Sequence, residues 1–335
     1  MSKAEKLCVK RKEAYAPPFS ITEEILNLVA DISSAVGRLD AFAAAPMDVQ
    51  LRKDNRIKSI HSSIAIENNS LTLEQVTDII NGKRVHGPAK DIREAKNAFA
   101  AYSALADYRP FVVSDFLLAH SLLMKGLLKS AGGFRMQPVG VFAGAVPIFI
   151  APPPELVQGH VRNLFKWAAR STVHPLVKSS VMHYEIEFIH PFADGNGRIG
   201  RLWQTVVLSR WNGLFAWLPV ETMVHRRQQA YYAALRESNA AGSATPFITF
   251  MLNAIREALD AAGKKGTEKV AEKVTENQRR ILAEIKGNPQ VTSETLSARL
   301  GISAAKIRVN LTKLKTLGLL RRIGPDKGGH WEVLK

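Results

Sequence analysis

The segment His190-Pro191-Phe192-Ala193-Asp194-Gly195-Asn196-Gly197-Arg198-Ile199-Gly200-Arg201 carries the densest chemistry in this chain. Gly195 and Gly197 lack the Cβ atom that would keep an anion away from the backbone N–H groups. The apolar run from Arg198 to Leu208 predicts a helix directly behind them. Because the dipole and the unpaired N–H groups of a helix N-terminus favour negative charge, we expect Gly195, Asn196 and Gly197 to hold phosphate.

The charged side chains of the same segment suit polyphosphate chemistry. Arg198 and Arg201 are three residues apart, so they project from one helical face and can grip successive phosphates. Asp194 offers hard carboxylate oxygens to a Mg²⁺ ion that bridges the phosphates. His190 precedes a proline, which predicts an extended backbone. An imidazole can act as a general base near neutral pH, so His190 is the candidate that takes a proton from an attacking hydroxyl.

An EF-hand calcium loop is the main alternative for the run Asp-Gly-Asn-Gly. With Asp194 at loop position three and Gly197 at position six, positions one and twelve fall on Phe192 and Trp203. Neither side chain can ligate calcium, so the pattern excludes this alternative. A plain surface turn would explain the glycines and the asparagine, but not the histidine, the carboxylate and the two arginines around them.

The segment resembles, without a mismatch, the signature of the Fic family, His-Pro-Phe-x-Asp/Glu-Gly-Asn-Gly-Arg-x-x-Arg. Most members of that family transfer the AMP group of ATP to a protein hydroxyl. The resemblance implies an adenylyltransferase that uses ATP and Mg²⁺ and modifies Ser, Thr or Tyr hydroxyls of target proteins or of itself. It also implies an all-α fold, a Fic-type helical bundle with a small β-hairpin flap.

The composition is that of a globular protein. The 335 residues, 46% of them hydrophobic, suffice for roughly two domains with a substantial core. The single cysteine, Cys8, excludes an internal disulfide framework and fits a reducing compartment. No apolar stretch follows the basic start, and none approaches the ~20 residues of a membrane span. We therefore expect a cytoplasmic protein without a membrane partner.

Helical periodicity dominates up to residue 262 and is broken once. It predicts helices over 20–42, 91–105, 114–127, 154–169 and 221–262. Two further helices are predicted, one from the capping box Thr72-Leu73-Glu74-Gln75 to near Gly82 and one from Pro175 into the signature. The alternating run 139–150 predicts a short hairpin that ends at Pro152-Pro153-Pro154. We assign residues 1–110 to an N-terminal helical region and 111–262 to a Fic core.

The predicted hairpin is similar to the Fic flap, along which a target segment docks as an added strand. Its residues Val146, Pro147, Ile148 and Phe149 would then orient a target hydroxyl toward His190 by main-chain bonding. An ordinary surface hairpin explains the same pattern.

A second motif, Ser63-Ile64-Ala65-Ile66-Glu67-Asn68, lies more than a hundred residues earlier. It resembles the family's inhibitory motif, Ser/Thr-x-x-x-Glu-Gly/Asn, and predicts Ser63 and Glu67 on one helical face. The resemblance implies that Glu67, flanked by Ser63 and Asn68, pairs with Arg201 and keeps that arginine from the γ-phosphate. A solvated helix face explains the pattern as well, and in some relatives the same glutamate supports removal of AMP.

A third resemblance lies downstream of the signature. Tyr231, Tyr232 and Asn239 resemble the family segment that lines the adenosine pocket. Aromatic faces stack on a base and an amide can bond its edge, although tyrosine pairs on helices also serve ordinary packing. The remaining scattered histidines are interpreted as structural or surface residues: His61, His120, His160, His174 and His183.

The last quarter of the chain is a separate basic module. From Ala262 to Lys335 there are sixteen Lys or Arg against seven Asp or Glu, a net +9 of the chain's +16. After a linker at 263–275, helices at 276–285, 293–300 and 304–317 and strands at 319–323 and 331–334 predict a winged helix-turn-helix over 276–335. Its candidate phosphate contacts are Lys306, Arg308, Lys313, Lys315, Arg321, Arg322 and Lys327, and Asn310 is a candidate for base edges. Winged helices also dimerise or dock proteins, so DNA and a second copy of the chain are both candidate partners.

Two classes of function remain. The first is a protein adenylyltransferase restrained by Glu67, with a de-adenylylating or other nucleotide-transferring enzyme as its variant. The second is a DNA-binding transcriptional regulator that uses the core as a nucleotide sensor. The intact signature favours the enzyme, because a sensor has no need of His190.

Overall fold

The computed structural model describes residues 15–43, 49–143, 146–316, 318–325 and 328–334. Side chains are described for the same residues except 40–43, 49, 141–143, 146–149 and 264–273. The chain divides into two compact units, Met1–Ser33 with Val49–Ala258, and Ser34–Asp48 with Leu259–Lys335. The N-terminal region and the core that the sequence separates at residue 110 thus belong mainly to one unit.

Helices make up nearly all of the regular structure before residue 274. In chain order they are α1 (Glu23–Ala43), α2 (Val49–Ala65), α3 (Leu73–Ile80), α4 (Ala89–Ser103), α5 (Val113–Leu123), α6 (Pro154–Arg170), α7 (Pro175–Ile189), α8 (Asn196–Trp211), α9 (Val220–Arg226), α10 (Gln228–Ala241) and α11 (Thr245–Lys273). A hairpin of β1 (Gly140–Ala143) and β2 (Val146–Ile150) lies between α5 and α6, and a 3₁₀ turn (Gly213–Ala216) follows α8. Within the described residues, no helix combines the length and the apolarity that crossing a membrane requires.

Local signals in the sequence explain where several helices begin. Thr72 and Gln75 form the predicted capping box, in which each side chain bonds the other residue's backbone N–H. Helices α6 and α7 both open with a proline, Pro154 and Pro175, whose missing N–H costs nothing in the first turn. The hairpin strands pair antiparallel, with an irregular register between Val141 and Phe142.

The 221–262 segment, predicted as helical throughout, consists of three helices. Gly242 ends α10 in the left-handed conformation, at φ 59° and ψ 31°. Such a glycine stops a helix at little cost because it has no Cβ. The break separates α10 from α11.

Helices α7 and α8 form the centre of the first unit. Both are buried on most of their faces, which explains their weak amphipathic pattern. Trp203 of α8 is fully buried, and its ring lies 5.2 Å from Phe116 and 5.9 Å from Phe165. Phe192, in the loop between α7 and α8, packs on Phe116 at 5.3 Å. The aromatic cluster therefore anchors the loop that carries the signature.

The second unit contains the predicted winged helix-turn-helix. Its elements are α12 (Glu276–Gly287), α13 (Ser293–Leu300), α14 (Ala304–Thr316), β3 (Leu320–Ile323) and β4 (His330–Val333). Thr275 begins α12 with a second capping box, and Gly301 ends α13 at φ 66°. A small core that includes Ile281, Leu296 and Ile307 holds the helices together. Residues 263–273, predicted as a linker, continue the backbone of α11.

The predicted fold class is confirmed: an all-α protein with a small hairpin, followed by a winged helix-turn-helix. The domain limits that the sequence suggests remain predictions.

Candidate active site

His190 ends α7 in the left-handed conformation, at φ 51° and ψ 61°, and not in the extended backbone predicted for it. Both conformations avoid the right-handed α region that a following proline disfavours. The left-handed one also lets the His190 N–H donate to the Ile186 carbonyl at 2.9 Å and so close the helix. The Nδ1 atom lies 3.3 Å from the Glu187 carbonyl oxygen. With a proton on Nδ1 for that carbonyl, Nε2 is the nitrogen that can accept one.

Two glycines shape the start of α8. Gly195 has φ 86°, and a Cβ on it would lie 2.7 Å from the Met124 sulfur, so the position requires glycine. A Cβ on Gly197 would collide with the Glu67 carboxylate. The glycines thus leave room above the α8 N-terminus, and Glu67 occupies part of it.

Asn196, predicted to help hold phosphate, has its side chain engaged within the signature loop. Its side chain is buried, accepts a bond from the Phe192 N–H at 2.9 Å and donates to the Phe192 carbonyl at 2.8 Å. The amide therefore closes the signature loop on itself. Only the backbone N–H of Asn196 is left to serve in an anion nest.

His120 of α5, interpreted from the sequence as a structural or surface residue, is buried and supports the signature loop, a contact that the sequence does not reveal. Its ring stacks on Phe192 at 3.5 Å between centroids. Its Nδ1 accepts from the Gly132 N–H at 2.9 Å, and its Nε2 lies 2.9 Å from the Asp194 carbonyl oxygen. Burial, partly opposed by the bond to Asp194, lowers the pKa of His120 to about 4. A neutral ring is needed, because Nδ1 can accept only when it carries no proton.

Arg198 is held by two carboxylates. It forms a buried ion pair with Glu94 of α4 and a second pair with Asp194, Nη2 to Oδ1 at 2.7 Å. Glu94 in turn accepts a bond from Asn69 Nδ2 at 2.8 Å. Neither Glu94 nor Asn69 was predicted, because only the fold brings α4 and the turn after α2 to the signature. The Arg198 Nε atom is buried and has no hydrogen-bond partner among the described residues.

Arg201 contacts both ends of the predicted inhibitory motif. Its Nε donates to Ser63 Oγ at 3.1 Å, and its Nη2 donates to the Ser63 carbonyl at 3.0 Å and to Glu67 Oε1 at 2.7 Å. Arg201 is 2% exposed and the Glu67 side chain is 30% exposed. Burial opposes the charge of Arg201, but the attraction of Glu67, together with Tyr231 and Glu187, outweighs it and raises the pKa of the guanidinium. Within the described part of the chain, Arg201 Nη1 is buried and unpaired.

The spacing predicted Ser63 and Glu67 on one face of a helix, but Glu67 lies outside the helix. Helix α2 ends at Ala65, and residues 66–68 form a turn. Asn68 has φ 63°, a left-handed conformation that asparagine and glycine adopt most easily. This turn directs the Glu67 carboxylate at Arg201. It also gives a physical reason for asparagine or glycine at the last position of the motif.

The predicted adenosine residues are not equally available. Tyr231 is fully buried, and its hydroxyl lies 3.1 Å from both His183 Nε2 and Glu187 Oε1, so its ring serves the core. Tyr232 is 38% exposed, and its hydroxyl lies 3.4 Å from the Ile66 carbonyl oxygen. Asn239 is half-buried and accepts a bond from the Tyr184 hydroxyl at 2.9 Å through Oδ1. Its amide nitrogen remains for another acceptor.

The hairpin is present where the flap was predicted. The structure describes the backbone, but not the side chains, of the four residues predicted to dock the target: Val146, Pro147, Ile148 and Phe149. Their predicted role rests on main-chain bonding. Ile150, at the end of β2, is 66% exposed.

A metal ion held by Asp194 fits the residues present. The Asp194 side chain is 54% exposed, and the described hydrogen bonds to it, from Arg198 and the Gly195 N–H, both use Oδ1. Oδ2 is thus left as a hard oxygen ligand. The described residues contain no group of three or more His, Cys, Asp or Glu side chains arranged for a metal. A single carboxylate suits Mg²⁺, which usually takes its other ligands from substrate phosphates and water.

The second unit presents its basic residues on α14. Lys306, Arg308, Lys313 and Lys315 are all exposed. The wing arginines are engaged: Arg321 pairs with Glu332 at 2.5 Å, and Arg322 lies over the Trp331 ring at 4.9 Å. Asn310 Nδ2 donates to the Lys306 carbonyl, and Lys327 falls outside the described residues.

Comparison with known proteins agrees with this architecture. Residues 110–208 match the Fic/DOC family, and residues 273–329 match the MarR family. A Fic family protein from Desulfovibrio desulfuricans G20 has a crystal structure that is 41% identical, covers 96% of this chain and 98% of its own, and gives a TM-score of 0.73. The Fic-1 structure from Caenorhabditis elegans shares the fold, with 19% identity over 73% of each chain and a TM-score of 0.59.

Curated relatives are more distant. Protein adenylyltransferase fic-1 of Caenorhabditis elegans is 25% identical over 69% of this chain and 45% of its own length. Protein adenylyltransferase Fic of Drosophila erecta is 28% identical over 62% of this chain and 42% of its own. The chain thus spans less than half the length of the curated relatives it matches. The helical core and the signature loop define a Fic/DOC-type unit joined to a MarR-type winged helix. The chain belongs to the Fic family.

Proposed function

We propose that this chain is an adenylyltransferase that moves AMP from ATP to hydroxyl groups of proteins. One observation carries the proposal. Two buried arginines of the signature each have an N–H group without a partner among the described residues, Arg198 Nε and Arg201 Nη1. Both arginines lie in the first turns of α8, whose N-terminus begins at Gly195. A buried charged donor without a partner costs at least ~1–3 kcal/mol. The phosphates of a nucleotide would satisfy both donors and the helix N-terminus together.

The arrangement suits attack by a hydroxyl on the α-phosphorus of ATP. The hydroxyl oxygen forms the new P–O bond, the bond to the β-phosphate breaks, and pyrophosphate leaves. His190 Nε2 takes the hydroxyl proton, a contribution typically worth ~10²–10⁴-fold in rate. Mg²⁺ held by Asp194 would supply charge neutralisation for the phosphates. The curated relatives are named protein adenylyltransferases, which supports the same reaction for this chain.

We further propose that Glu67 restrains the enzyme. It pairs with Arg201 at 2.7 Å and overlaps the space beside Gly197, where a phosphate would come closest to the backbone. An occupied Arg201 cannot hold the γ-phosphate, so ATP binds without the alignment that transfer needs. Tyr232 and Asn239 are the residues proposed to contact the adenine base. The hairpin is proposed to dock the target segment as an added strand.

The test is transfer of label from ATP. Purified parent, Glu67→Gly and His190→Ala proteins are incubated with Mg²⁺ and either α-labelled or γ-labelled ATP. We expect protein-bound label from the α-position only, more of it with Glu67→Gly, and none with His190→Ala. Labelled GTP, UTP and CTP in parallel measure the nucleotide preference. If no variant shows His190-dependent labelling, the adenylyltransferase proposal fails and the regulator remains. Release of AMP from labelled protein by the parent would add the reverse activity.

DNA binding by the winged helix is a second candidate function. The match to the MarR family over residues 273–329 and the exposed basic residues of α14 favour it. Phosphate contacts make DNA affinity fall with salt, and each lost contact lowers the slope by about one. A Lys306→Ala, Lys313→Ala protein should therefore bind duplex DNA more weakly and with a shallower salt dependence than the parent. Equal binding by both proteins would point to a protein-docking or dimerisation module instead.

A further inference from the structure

Arg135 is a buried arginine between α5 and the hairpin, and only 3% of it is exposed. Its guanidinium donates to four main-chain carbonyl oxygens: His190 at 2.7 Å, Gln137 at 3.0 Å, Pro152 at 2.5 Å and Ile189 at 3.3 Å. Its own backbone N–H donates to the Pro191 carbonyl at 2.9 Å. Among the described residues it forms no ion pair. Because the described hydrogen bonds of the Arg135 side chain all go to main-chain oxygens, this arginine holds the surrounding backbone segments in place.

Two of these carbonyls, those of Ile189 and His190, stand at the C-terminal end of α7. The last carbonyls of a helix lack partners within the helix, and a cation there also complements the helix dipole. Arg135 therefore caps α7. The cap matters because His190 has φ 51°, a conformation that costs a non-glycine residue roughly 1–2 kcal/mol. Such a conformation persists only where the surroundings enforce it.

The other two carbonyls belong to the two ends of the hairpin. Gln137 lies just before β1, and Pro152 lies just after β2. The Arg135 guanidinium thus connects both ends of the hairpin, where the target segment is proposed to dock, to the backbone of His190, the proposed general base. Lysine could not reproduce this, because its single ammonium lacks the fork that spans separate acceptors.

We propose that Arg135 is a positioning residue for transfer: it sets the His190 imidazole relative to a target segment docked on the hairpin. This inference rests on the proposed adenylyltransferase function. The described contacts of Arg135 go to the end of α7 and to the two ends of the hairpin, and none of them goes to Arg198 or Arg201, the arginines that would hold the phosphates. The loss of Arg135 should therefore affect the transfer step and leave nucleotide binding intact. A role in folding alone would lower both together.

The experiment uses the full chain with Glu67→Gly as the active background. Arg135→Ala in that background should lower kcat for label transfer about 100-fold, the effect of misplacing a reacting group by about 1 Å. The dissociation constant for α,β-methylene ATP, which cannot be cleaved at the α–β position, should stay within about twofold. Added guanidinium ion should recover part of the lost rate. Arg135→Lys serves if the alanine variant does not fold, with an intermediate loss of kcat and the same unchanged affinity.

Arg210→Ala is the control for removing an arginine that donates to main-chain carbonyls, although Arg210, unlike Arg135, is exposed. Arg210 also donates to main-chain carbonyls, those of Ala106 and Tyr108, at 2.7 and 2.9 Å, but at the far end of α8. It should keep the kcat of the background and show no response to guanidinium. Equal kcat with and without Arg135, or parallel losses of kcat and nucleotide affinity, would overturn the inference alone. Absence of His190-dependent transfer in the Glu67→Gly background would overturn the proposed function, and the inference with it.

Discussion

Replacing Glu67 with glycine is the perturbation that the structure describes most fully. The substitution removes one ion pair from Arg201, 2.7 Å long, and leaves the two bonds to Ser63 in place. Arg201 should therefore stay where it is and gain a free face. It also opens the space beside Gly197 that the Glu67 carboxylate fills.

The expected size of the effect follows from the pair. At an effective dielectric constant of about 20, two unit charges 2.7 Å apart attract by roughly 6 kcal/mol. Desolvation of Arg201 and solvent screening of Glu67, which is 30% exposed, cancel much of this attraction. We expect a net preference of about 1–3 kcal/mol for the paired state. Transfer should then rise about 5- to 150-fold, since ~1.4 kcal/mol corresponds to a factor of ten.

The assay is initial-rate labelling from α-labelled ATP, with Glu67→Gln as a third protein. Glutamine keeps the size of the side chain and one hydrogen bond but loses the charge, so its rate should lie between those of the parent and Glu67→Gly. Glu257→Gln is the control. Glu257 pairs with Arg227 at 2.6 Å and is 29% exposed, so it matches Glu67 in pair length and in its own exposure, although its partner arginine is 51% exposed and lies outside the site. Its substitution should leave the rate at the parent value.

Two results would refute this reasoning. Equal rates for Glu67→Gly and the parent would mean that the pair with Arg201 does not limit transfer. An unchanged rate in Glu67→Gln beside a large gain in Glu67→Gly would mean that bulk, and not charge, blocks the site.

Three further predictions concern the surroundings of the site. Asn68→Val should raise transfer several-fold, because a β-branched residue strains at φ 63° by about 1–2 kcal/mol and disturbs the inhibitory turn, whereas Asn68→Gly should match the parent in the same assay. Glu94→Gln should lower the urea-derived free energy of unfolding by about 3 kcal/mol, because it leaves the buried charge of Arg198 with Asp194 alone; a loss below about 1 kcal/mol would contradict the weight given to this pair. Burial gives His120 a pKa of about 4, so the stability that its neutral ring contributes is present above pH 6.5 and is lost as the pH falls toward 4. Burial, partly offset by the Tyr15 hydroxyl, gives Glu185 a pKa of about 7, so the ionisation of Glu185 destabilises the fold as the pH rises toward 7. The Glu185 slope opposes that of His120, to which His61 and His174 add because burial lowers their pKa as well, so Glu185→Gln should uncover a loss of at least about 2 kcal/mol between pH 7.5 and pH 5, measured by urea unfolding; a flat profile in that variant would refute the His120 assignment.

Local patterns predicted the elements well because their causes are local. The capping box at Thr72, the proline at the start of α6 and the turn at Gly301 each act within a few residues, and each is visible in the sequence. The signature also lies within a single turn and helix start. Its residue types and their spacing are therefore enough to indicate its chemistry.

The contacts that the sequence does not reveal act across long separations. Glu94 reaches Arg198 over 104 positions, and His120 reaches the Asp194 carbonyl over 74. The side-chain bonds of Asn196 to Phe192 could not be predicted either, because they depend on how tightly the loop closes, which its composition does not specify. The left-handed backbone of His190 depends on partners outside α7, so its proline neighbour alone could not predict it.

The C-terminal end of α2 and the residues that follow it reach both signature arginines. Ser63, in the last turn of α2, and Glu67 hold Arg201 directly, and Asn69 reaches Arg198 through its bond to Glu94. The turn after α2 is fixed from α10. There, Gln228 and Tyr232, the residue proposed to face adenine, donate to the Ile66 carbonyl at 2.8 and 3.4 Å.

These contacts argue that relief of inhibition needs no movement of α2. The backbone of the turn is held on several sides, whereas the Glu67 carboxylate reaches solvent and can rotate away at the cost of one ion pair. The strength of the restraint is then set by that pair and not by the packing of the helix. For this reason we expect a graded gain from Glu67→Gln to Glu67→Gly. If α2 had to detach as a whole, the loss of its buried contacts would make any single side-chain change nearly silent.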